Sequence, residues 1–311
     1  MIAAMARRAL EEALGDAVAF DVSMTRHTSL RIGGLADALA TPRSREQLAT
    51  LLTLCADYDL AHWTIGAGFN CLVSDAGIDG VVIKLSGLRA LALRTESAVF
   101  AEAGVTHASL TRFCVERGLA GLEFGAGIPG VVGGWIAMNS GIGSREVKHV
   151  IRSIEVVEPG AAARAIPRDS LDFRYRKLQG LAPGAVVVAA VFEVTPSSAG
   201  TVRAEVDRLL AQRAKTQPLN VPSCGSVFKN PQDDFAGRLI EAAGLKGERI
   251  GGAQISEVHA NFIANTGGAT AADVRRLMEL AQGAVEKQAG IRLEPEVRLI
   301  GRALHAEQGD S

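Results

Sequence analysis

Three glycine-rich segments in the first half of the chain constrain its fold more than any other feature of the sequence. They occupy residues 31–34, 66–70 and 125–143. Glycine lets backbone amides approach a ligand closely and adopts positive φ at no steric cost. A single segment of this kind favours a tight turn, whereas three together favour loops that converge on a nucleotide cofactor.

The glycine segments do not follow the Rossmann dinucleotide-binding pattern. That pattern requires a strand, then Gly-x-Gly-x-x-Gly, then a helix, with an acidic residue about 20 positions further on. Residues 125–130 have the glycine spacing, but this tract lacks the full order of strand, glycines and helix. Since helical and strand patterns are also interspersed, the sequence favours an α+β fold over a Rossmann fold.

Composition and charge exclude several classes of function. The chain has 311 residues and 48% hydrophobic content, enough to bury a large core. Lys and Arg total 33 against 34 Asp and Glu, so no general field would attract nucleic acid or anionic lipid. The first 15 residues lack the apolar centre of a signal peptide, and no run approaches membrane-spanning length. We therefore expect a cytoplasmic protein with no nucleic-acid partner and no membrane insertion.

The cysteines and histidines show no metal-ligand spacing. Cys55, Cys71, Cys114 and Cys224 are far apart and lack the close pairs that mark zinc sites or redox motifs. Histidines such as His27 also stand alone. We expect reduced thiols and predict no metal.

Capping patterns predict two helices. Ser44 and Gln47 form a capping-box pattern ahead of apolar residues at helical spacing within 41–60, and Thr270 with Asp273 caps a helix over 271–288. Further helices are predicted at 1–15, 106–117, 202–215 and 235–243, and strands at 62–65, 81–85, 154–158, 185–194, 226–229, 259–264 and 297–300.

A series of longer motifs carries a resemblance to a known family. The motifs occupy residues 26–34, 66–70, 127–134 with 138–139, 171–176, 217–218 with 222–231, and 294–301. Together they resemble the UDP-N-acetylenolpyruvoylglucosamine reductases along residues 20–301, which makes chance similarity a poor explanation. The short connection between Arg176 and the strand at Val186 resembles the shorter, type II form of the family, which lacks an inserted loop over the substrate.

The resemblance implies a particular domain organisation within the α+β class. It implies an FAD-binding domain of the vanillyl-alcohol-oxidase (PCMH) type in two subdomains, followed by a C-terminal α+β substrate-binding domain. A composition shift at 196–200 supports a boundary there. The predicted bounds are an N-terminal helix at 1–19, the FAD domain at 20–198 with subdomains near 20–85 and 86–198, the C-terminal domain at 199–303 and a tail at 304–311.

The resemblance also implies an activity and its cofactors. Members reduce the enolpyruvyl group of UDP-N-acetylglucosamine enolpyruvate to UDP-N-acetylmuramate in peptidoglycan precursor synthesis. We therefore expect noncovalent FAD, NADPH as co-substrate and a monomeric protein. The positions expected to bind FAD are Gly66, Ala67, Gly68, Phe69, Asn70, Ile128, Pro129, Gly130, Gly133, Gly134, Asn139 and Gly141.

The family's catalytic acid, arginine and glutamate fall on Ser226, Arg176 and Glu296. Hydride delivered to the enolpyruvyl group leaves negative charge that fixed donors must stabilise, and Arg176 is a permanent, bidentate cation. A serine hydroxyl can protonate so basic an intermediate when the two are held together. By itself, however, Ser226 indicates a turn hydroxyl, Arg176 a surface charge and Glu296 an outward-facing edge residue. Arg174 competes with Arg176 for the arginine role.

Four residues are expected to contact the substrate, and a few positions depart from the family pattern. The substrate-contact candidates are Tyr175, Lys215, Lys229 and Asn230, with Arg213 a further candidate partner for the UDP diphosphate. The departures are Phe69 in place of a small hydroxyl residue, Trp135 in place of alanine, Leu178 in place of serine, and the stretch 142–145.

Two other functions share parts of this sequence pattern. A flavin oxidase acting on a sugar or alcohol would share the first domain, because fold does not fix function. A non-catalytic flavin or nucleotide-sugar binding protein would keep the scaffold without the chemistry. The presence of Arg176, Ser226 and Glu296 together favours the reductase over both.

Overall fold

The computed structural model describes residues 1–302, so the predicted tail at 304–311 lies outside the described residues. Helices and strands are mixed along this part of the chain, as an α+β fold requires. The α-helices are α1 Ala4–Leu14, α2 Arg45–Asp57, α3 His107–Glu116, α4 Val132–Ala137, α5 Ala199–Thr216, α6 Ala236–Ala242 and α7 Ala271–Ala289.

The strands are mostly short. The first eleven are β1 Val18–Ser23, β2 Leu35–Ala40, β3 His62–Ile65, β4 Cys71–Val73, β5 Ile78–Lys84, β6 Leu91–Thr95, β7 Ala98–Glu102, β8 Leu119–Ala120, β9 Gly141–Ile142, β10 Arg145–Glu146 and β11 Ile151–Val157. The others are β12 Arg164–Pro167, β13 Asp172–Arg174, β14 Lys177–Gln179, β15 Val186–Glu193, β16 Thr195–Pro196, β17 Ser223–Ser226, β18 Arg249–Ile250, β19 Ala253–Ile255, β20 Phe262–Asn265 and β21 Arg298–Ile300.

The chain divides into two compact units, each built from three segments. The first unit comprises Met1–Phe20, Ala38–Ala67 and Gly80–Arg213, and the second comprises Asp21–Asp37, Gly68–Asp79 and the described residues from Ala214 onward. Strands β1, β2 and β5 form one sheet with β3, in the order β1-β2-β5-β3, and the chain passes from one unit to the other within those three strands.

A five-stranded antiparallel sheet forms the centre of the first unit. Its order is β12-β11-β15-β7-β6, so the long, almost fully buried strand β15 lies in the middle. One buried cluster packs the α3 and α4 side chains with this sheet, and includes Trp135 and Phe192. The sheet therefore packs against α4, which lies within the third glycine-rich segment at 125–143.

The first unit confirms most of the predicted helix α2 and corrects one detail of its cap. Ser44 Oγ accepts a hydrogen bond from Gln47 N at 3.1 Å, as a capping serine should. The Gln47 side chain accepts from Arg43 N at 2.8 Å. Only the serine half of the predicted capping box therefore has its usual geometry.

The second unit is built on a smaller antiparallel sheet covered by α7. The sheet order is β17-β20-β19-β18, and β4 pairs in parallel with β21 beside it. Thr270 and Asp273 form the predicted capping box at the start of α7, which ends at Gly290 in the left-handed conformation. The Asp75 carboxylate accepts from the amides of Ala271 and Ala272 at 2.8 and 3.0 Å, which adds a second anion at this helix start.

The contacts of α5 divide the chain differently from the predicted boundary at 198. Val202 and Val206 pack with Val115 and Ala126 in one buried cluster of the first unit. Most of α5 therefore belongs with the first unit, whose last residue is Arg213. Within residues 1–302 no helix is both long enough and apolar enough to cross a membrane.

Candidate active site

The second and third glycine-rich segments meet in the first unit where Gly66 lies against Val131. A Cβ on Gly66 would lie 2.5 Å from Val131 Cγ2, a distance that a side chain cannot adopt. Gly130 has φ of +110°. No atom lies within 4 Å of the Cβ position of Gly130 or of Gly134, so the loop has open space on this side. The missing side chain at Gly66 therefore allows close packing against Val131, and those at Gly130 and Gly134 leave open space beside the loop.

The α5 side chains flank the same loop. A Cβ on Gly127 would lie 2.9 Å from both Arg213 Cδ and Leu210 Cδ2, and Gly127 has φ of +74°. Burial lowers the pKa of Arg213 to about 10. The structure thus places Arg213, a candidate for the UDP diphosphate, beside the third glycine segment, one of the two predicted to bind FAD.

A cluster of aromatic side chains around Trp135 packs against the third glycine-rich segment. The Trp135 ring lies 4.7 Å from the His107 ring, 5.4 Å from Phe124 and 5.6 Å from Phe192, measured between centroids. A Cβ on Gly125 would lie 2.9 Å from Trp135 Cζ2. Trp135, which departs from the family pattern, is therefore a buried packing residue. Burial also lowers the pKa of His107 to about 4, and the nearby Arg213 charge acts in the same direction.

Arg176 lies at the tip of a hairpin in the first unit. Strands β13 and β14 pair so that Arg174 is opposite Lys177, which leaves Tyr175 and Arg176 as the two-residue turn. Arg176 has φ of 58°, and its guanidinium carbon lies 4.9 Å from the centre of the Tyr175 ring. Arg174 instead pairs with Asp172 at 2.8 Å with 68% of its side chain exposed. The two candidate arginines therefore differ in position: Arg176 lies in the turn, whereas Arg174 lies on the strand and pairs with Asp172.

Ser226 and Glu296 are linked through one backbone carbonyl in the second unit. Ser226 is the last residue of β17, and Glu296 N donates to the carbonyl of the next residue, Val227, at 2.8 Å. Both side chains are partly buried. The strand predicted at 226–229 lies instead at Ser223–Ser226, where its ladder with β20 shifts register between Ser223 and Ser226 and Gly225 has φ of +80°.

Asn261 fixes the same stretch of backbone. Its backbone carbonyl accepts a hydrogen bond from Val227 N at 2.9 Å. The whole residue is only 3% exposed. The sequence alone does not distinguish Asn261 from its polar neighbours His259 and Asn265. The signal available was an asparagine inside an apolar strand pattern, which buries only with its hydrogen bonds satisfied.

Asn70, an expected FAD contact, supports Glu296 in the second unit. Asn70 Nδ2 donates to the Glu296 carbonyl at 3.1 Å, and the Asn70 carbonyl accepts from Arg298 N at 3.2 Å. The neighbouring Phe69 is 37% exposed. Gly68 needs to be glycine, since its Cβ would lie 2.2 Å from the His27 carbonyl oxygen.

The expected substrate contacts differ in their surroundings. Lys229 forms an ion pair with Glu294, and Asn230 Oδ1 accepts from Ala236 N at 3.1 Å, at the start of α6. Lys215 is exposed, and Tyr175 is 45% exposed. Gly141 is required by the β9–β10 hairpin, because its Cβ would lie 2.0 Å from the Arg145 carbonyl oxygen.

The four cysteines are buried free thiols, and the described residues contain no cluster of metal ligands. Cys55, Cys71, Cys114 and Cys224 are buried and free, and burial raises their pKa values to between about 11 and about 12. In the described part of the chain, no group of three or more His, Cys, Asp or Glu side chains is placed to hold a metal ion.

Two protein-family profiles match this chain. The profile described as "FAD binding domain" matches residues 36–163, and that described as "UDP-N-acetylenolpyruvoylglucosamine reductase, C-terminal domain" matches residues 217–300. These matches confirm the predicted α+β architecture of a PCMH-type FAD-binding domain followed by a C-terminal domain.

Curated proteins and a solved structure are similar over nearly the whole chain. A UDP-N-acetylenolpyruvoylglucosamine reductase of Geobacter metallireducens is 44% identical over 90% of this chain and 93% of its own length. One of Alkalilimnicola ehrlichii is 46% identical over the same shares. The crystal structure of a UDP-N-acetylenolpyruvylglucosamine reductase from Thermus caldophilus is 32% identical, with a TM-score of 0.78 over 90% of this chain and 97% of that chain.

Proposed function

This chain belongs to the UDP-N-acetylenolpyruvoylglucosamine reductase family, and from that premise we propose that it reduces UDP-N-acetylglucosamine enolpyruvate to UDP-N-acetylmuramate with NADPH. It is an oxidoreductase with an FAD-binding domain. The observation that carries the proposal is the backbone hydrogen bond from Glu296 to the Val227 carbonyl, which joins the proposed glutamate to the residue that follows the proposed acid Ser226.

The glycine-rich loop of the first unit fits an FAD cofactor. The open space at Gly130 and Gly134 is where a side chain would otherwise exclude a bound molecule. Residues 128–134 with Gly66 and Ala67 would hold FAD in the first unit, while Gly68, Phe69 and Asn70 are expected contacts in the second. When bound, FAD supplies hydride transfer from NADPH to the enolpyruvyl carbon.

Three side chains would stabilise and protonate the substrate. Arg176 would bind the developing negative charge on the substrate carboxylate, since a guanidinium stays charged and offers a planar pair of donors. Ser226 Oγ would donate a proton to the carbon next to the one that receives hydride. Glu296 would lie beside that position on the backbone stretch that Val227 and Asn70 secure.

Tyr175, Lys215, Lys229 and Asn230 would bind the rest of the sugar nucleotide. A diphosphate would have to compete with Glu294 for Lys229, because these two side chains already form an ion pair. We further propose that the protein is a cytoplasmic monomer. The four free thiols support a reducing compartment.

Anaerobic turnover tests the proposed function. The purified protein should have the absorbance spectrum of a flavin, and acid precipitation should release that flavin into the supernatant because we expect noncovalent binding. NADPH oxidation should then depend on the enolpyruvyl sugar nucleotide. Parallel lines in double-reciprocal plots are expected if NADPH and the sugar nucleotide bind in turn.

Two results would contradict this proposal. Rapid reoxidation by oxygen, with none by the enolpyruvyl substrate, would indicate a flavin oxidase. Binding of flavin and nucleotide sugar without any NADPH consumption would indicate a binding protein.

A further inference from the structure

Asn139 is a fully buried polar residue at the end of the glycine-rich tract. It is 0% exposed and has φ of 39°, in the left-handed region that asparagine tolerates better than most residues. A buried amide is costly unless its donors and acceptor are satisfied. Its partners therefore indicate what the residue does.

The Asn139 amide is committed to three partners within the first unit. Nδ2 donates to the Arg174 carbonyl at 3.0 Å and to Glu146 Oε2 at 3.1 Å, and Oδ1 accepts from Lys148 N at 3.1 Å. An asparagine amide has two donor hydrogens. Both of them are thus used on protein atoms, so the side chain has no donor left for a flavin.

The Arg174 carbonyl belongs to the turn that carries Arg176. Arg174 and Lys177 are the last pair of the β13–β14 hairpin, and Arg176 holds a left-handed φ of 58° between them. A left-handed arginine is strained and persists only where its surroundings hold it. The hydrogen bond from Asn139 is two residues away from Arg176, on the strand that enters the turn.

Glu146, which accepts a hydrogen bond from Asn139, has further contacts of its own. Glu146 Oε2 also contacts Lys148 Nζ at 2.5 Å, and Glu146 N donates to His149 Nδ1 at 3.1 Å. The Glu146 side chain is only 14% exposed. A charged acceptor in this setting makes a stronger hydrogen bond than a neutral one. Asn139 therefore joins a fixed base at 146–149 to the hairpin.

We propose that Asn139 is a positioning residue for Arg176, which fixes the hairpin turn so that the guanidinium is held ready for the substrate's negative charge. This inference rests on the proposed function, because the role of Arg176 does. It also replaces the expectation that the Asn139 side chain binds FAD.

Two variants and a control test the inference. Asn139→Gly removes all three hydrogen bonds and still accepts positive φ, whereas Asn139→Asp keeps the acceptor and loses both donors. The control is Gln179→Ala, which removes the 2.6 Å hydrogen bond to Asp172 at the open end of the same hairpin. All three proteins are saturated with FAD and compared for turnover and for hydrogen exchange of the 172–179 amides.

We expect the two Asn139 variants to exchange the amides near the turn at least about tenfold faster and to lose about tenfold to a hundredfold in turnover, as misplaced groups do. The control should keep turnover within about twofold. In an Arg176→Ala background, Asn139→Asp should have almost no further effect on turnover, because its effect acts through Arg176.

Additive losses in the double variant, or unchanged exchange near the turn in both Asn139 variants, would overturn the inference. Weaker FAD binding with normal turnover at saturating FAD would overturn it as well. If Asn139→Gly does not fold, Asn139→Asp decides the question. A wild-type protein with no turnover would instead overturn the proposed function, while the exchange measurement would still report on the hairpin.

Discussion

The Asn261 side chain hydrogen-bonds to both backbone groups of Phe228, donating to its carbonyl at 2.8 Å and accepting from its amide at 2.9 Å. Phe228 is two residues beyond Ser226 and next to Val227, whose carbonyl accepts from Glu296 N. One buried amide therefore supplies the pairing that a regular strand would otherwise give to this stretch.

Asn261→Ala should lower the free energy of unfolding by about 1–3 kcal/mol, because it leaves the Phe228 amide and carbonyl buried without partners. Denaturant titration with saturating FAD measures this. The matched control is Asn220→Ala at an exposed position, which should change stability by less than about 0.5 kcal/mol. Equal effects of the two substitutions would show that the hydrogen bonds from Asn261 to Phe228 do not stabilise the fold.

Ser226→Ala should leave flavin reduction by NADPH nearly intact and slow flavin reoxidation by the substrate. Only the second step needs a proton, and general acids contribute about a hundredfold to ten-thousandfold. Ser226→Cys should retain more activity than the alanine variant if the role is proton donation. Rapid-mixing absorbance separates the two steps, and normal reoxidation in Ser226→Ala would exclude Ser226 as the acid.

Gly134→Ala should weaken FAD binding without lowering the stability of the FAD-free protein. Nothing lies within 4 Å of the Cβ position of Gly134, so the methyl group clashes with no protein atom. Gly283→Ala is the matched control, since Gly283 is also helical with open space around it. Both substitutions should stabilise the FAD-free protein by up to about 1 kcal/mol through helix propensity.

Only Gly134→Ala should then raise the dissociation constant of FAD, measured by flavin fluorescence. Equal FAD affinity in both variants would show that the open side of the loop does not face the cofactor.

His107 should make the protein less stable as the pH falls. Burial lowers its pKa from an ordinary value near 6.5 to about 4, so the unfolded chain binds a proton that the folded protein does not. The stability from keeping His107 neutral is complete above pH 6.5 and is lost as the pH drops towards 4. The full loss would be about 3 kcal/mol.

Melting temperatures of the wild type and His107→Leu between pH 7.5 and 4.5 test this prediction. The variant should show a shallower decline, and the difference removes the contribution of other histidines such as His62 and His259, whose pKa values burial also lowers. Parallel curves for the two proteins would contradict it.

Elements marked by caps or strong periodicity were predictable from the sequence. Thr270 and Asp273 predicted the start of α7, and the spacing of Leu48, Leu51 and Leu52 predicted the buried face of α2. Many strands were not predicted, among them β1, β2, β6 and β7. In β7 every residue is buried, including Glu102, and such a five-residue run has no alternation that would mark it as a strand.

The motifs named the candidate residues but could not show what holds them. Asn70 and Asn139 stood in segments expected to bind FAD, yet each amide reaches a backbone carbonyl, of Glu296 and Arg174 respectively. These contacts join residues 226 and 35 positions apart. Separations of this kind follow from tertiary packing, and local patterns carry no information about them.

The three-segment construction of the second unit has a consequence for biosynthesis. Leu30, Ile32 and Leu72 belong to a core whose other members all lie beyond residue 223. A ribosome therefore delivers these apolar side chains long before their packing partners exist, and they must wait exposed or be shielded by chaperones. The second unit can close only when the C-terminal residues emerge. In a prematurely terminated chain, Leu30, Ile32 and Leu72 would lack their packing partners, which would favour aggregation or degradation of that chain.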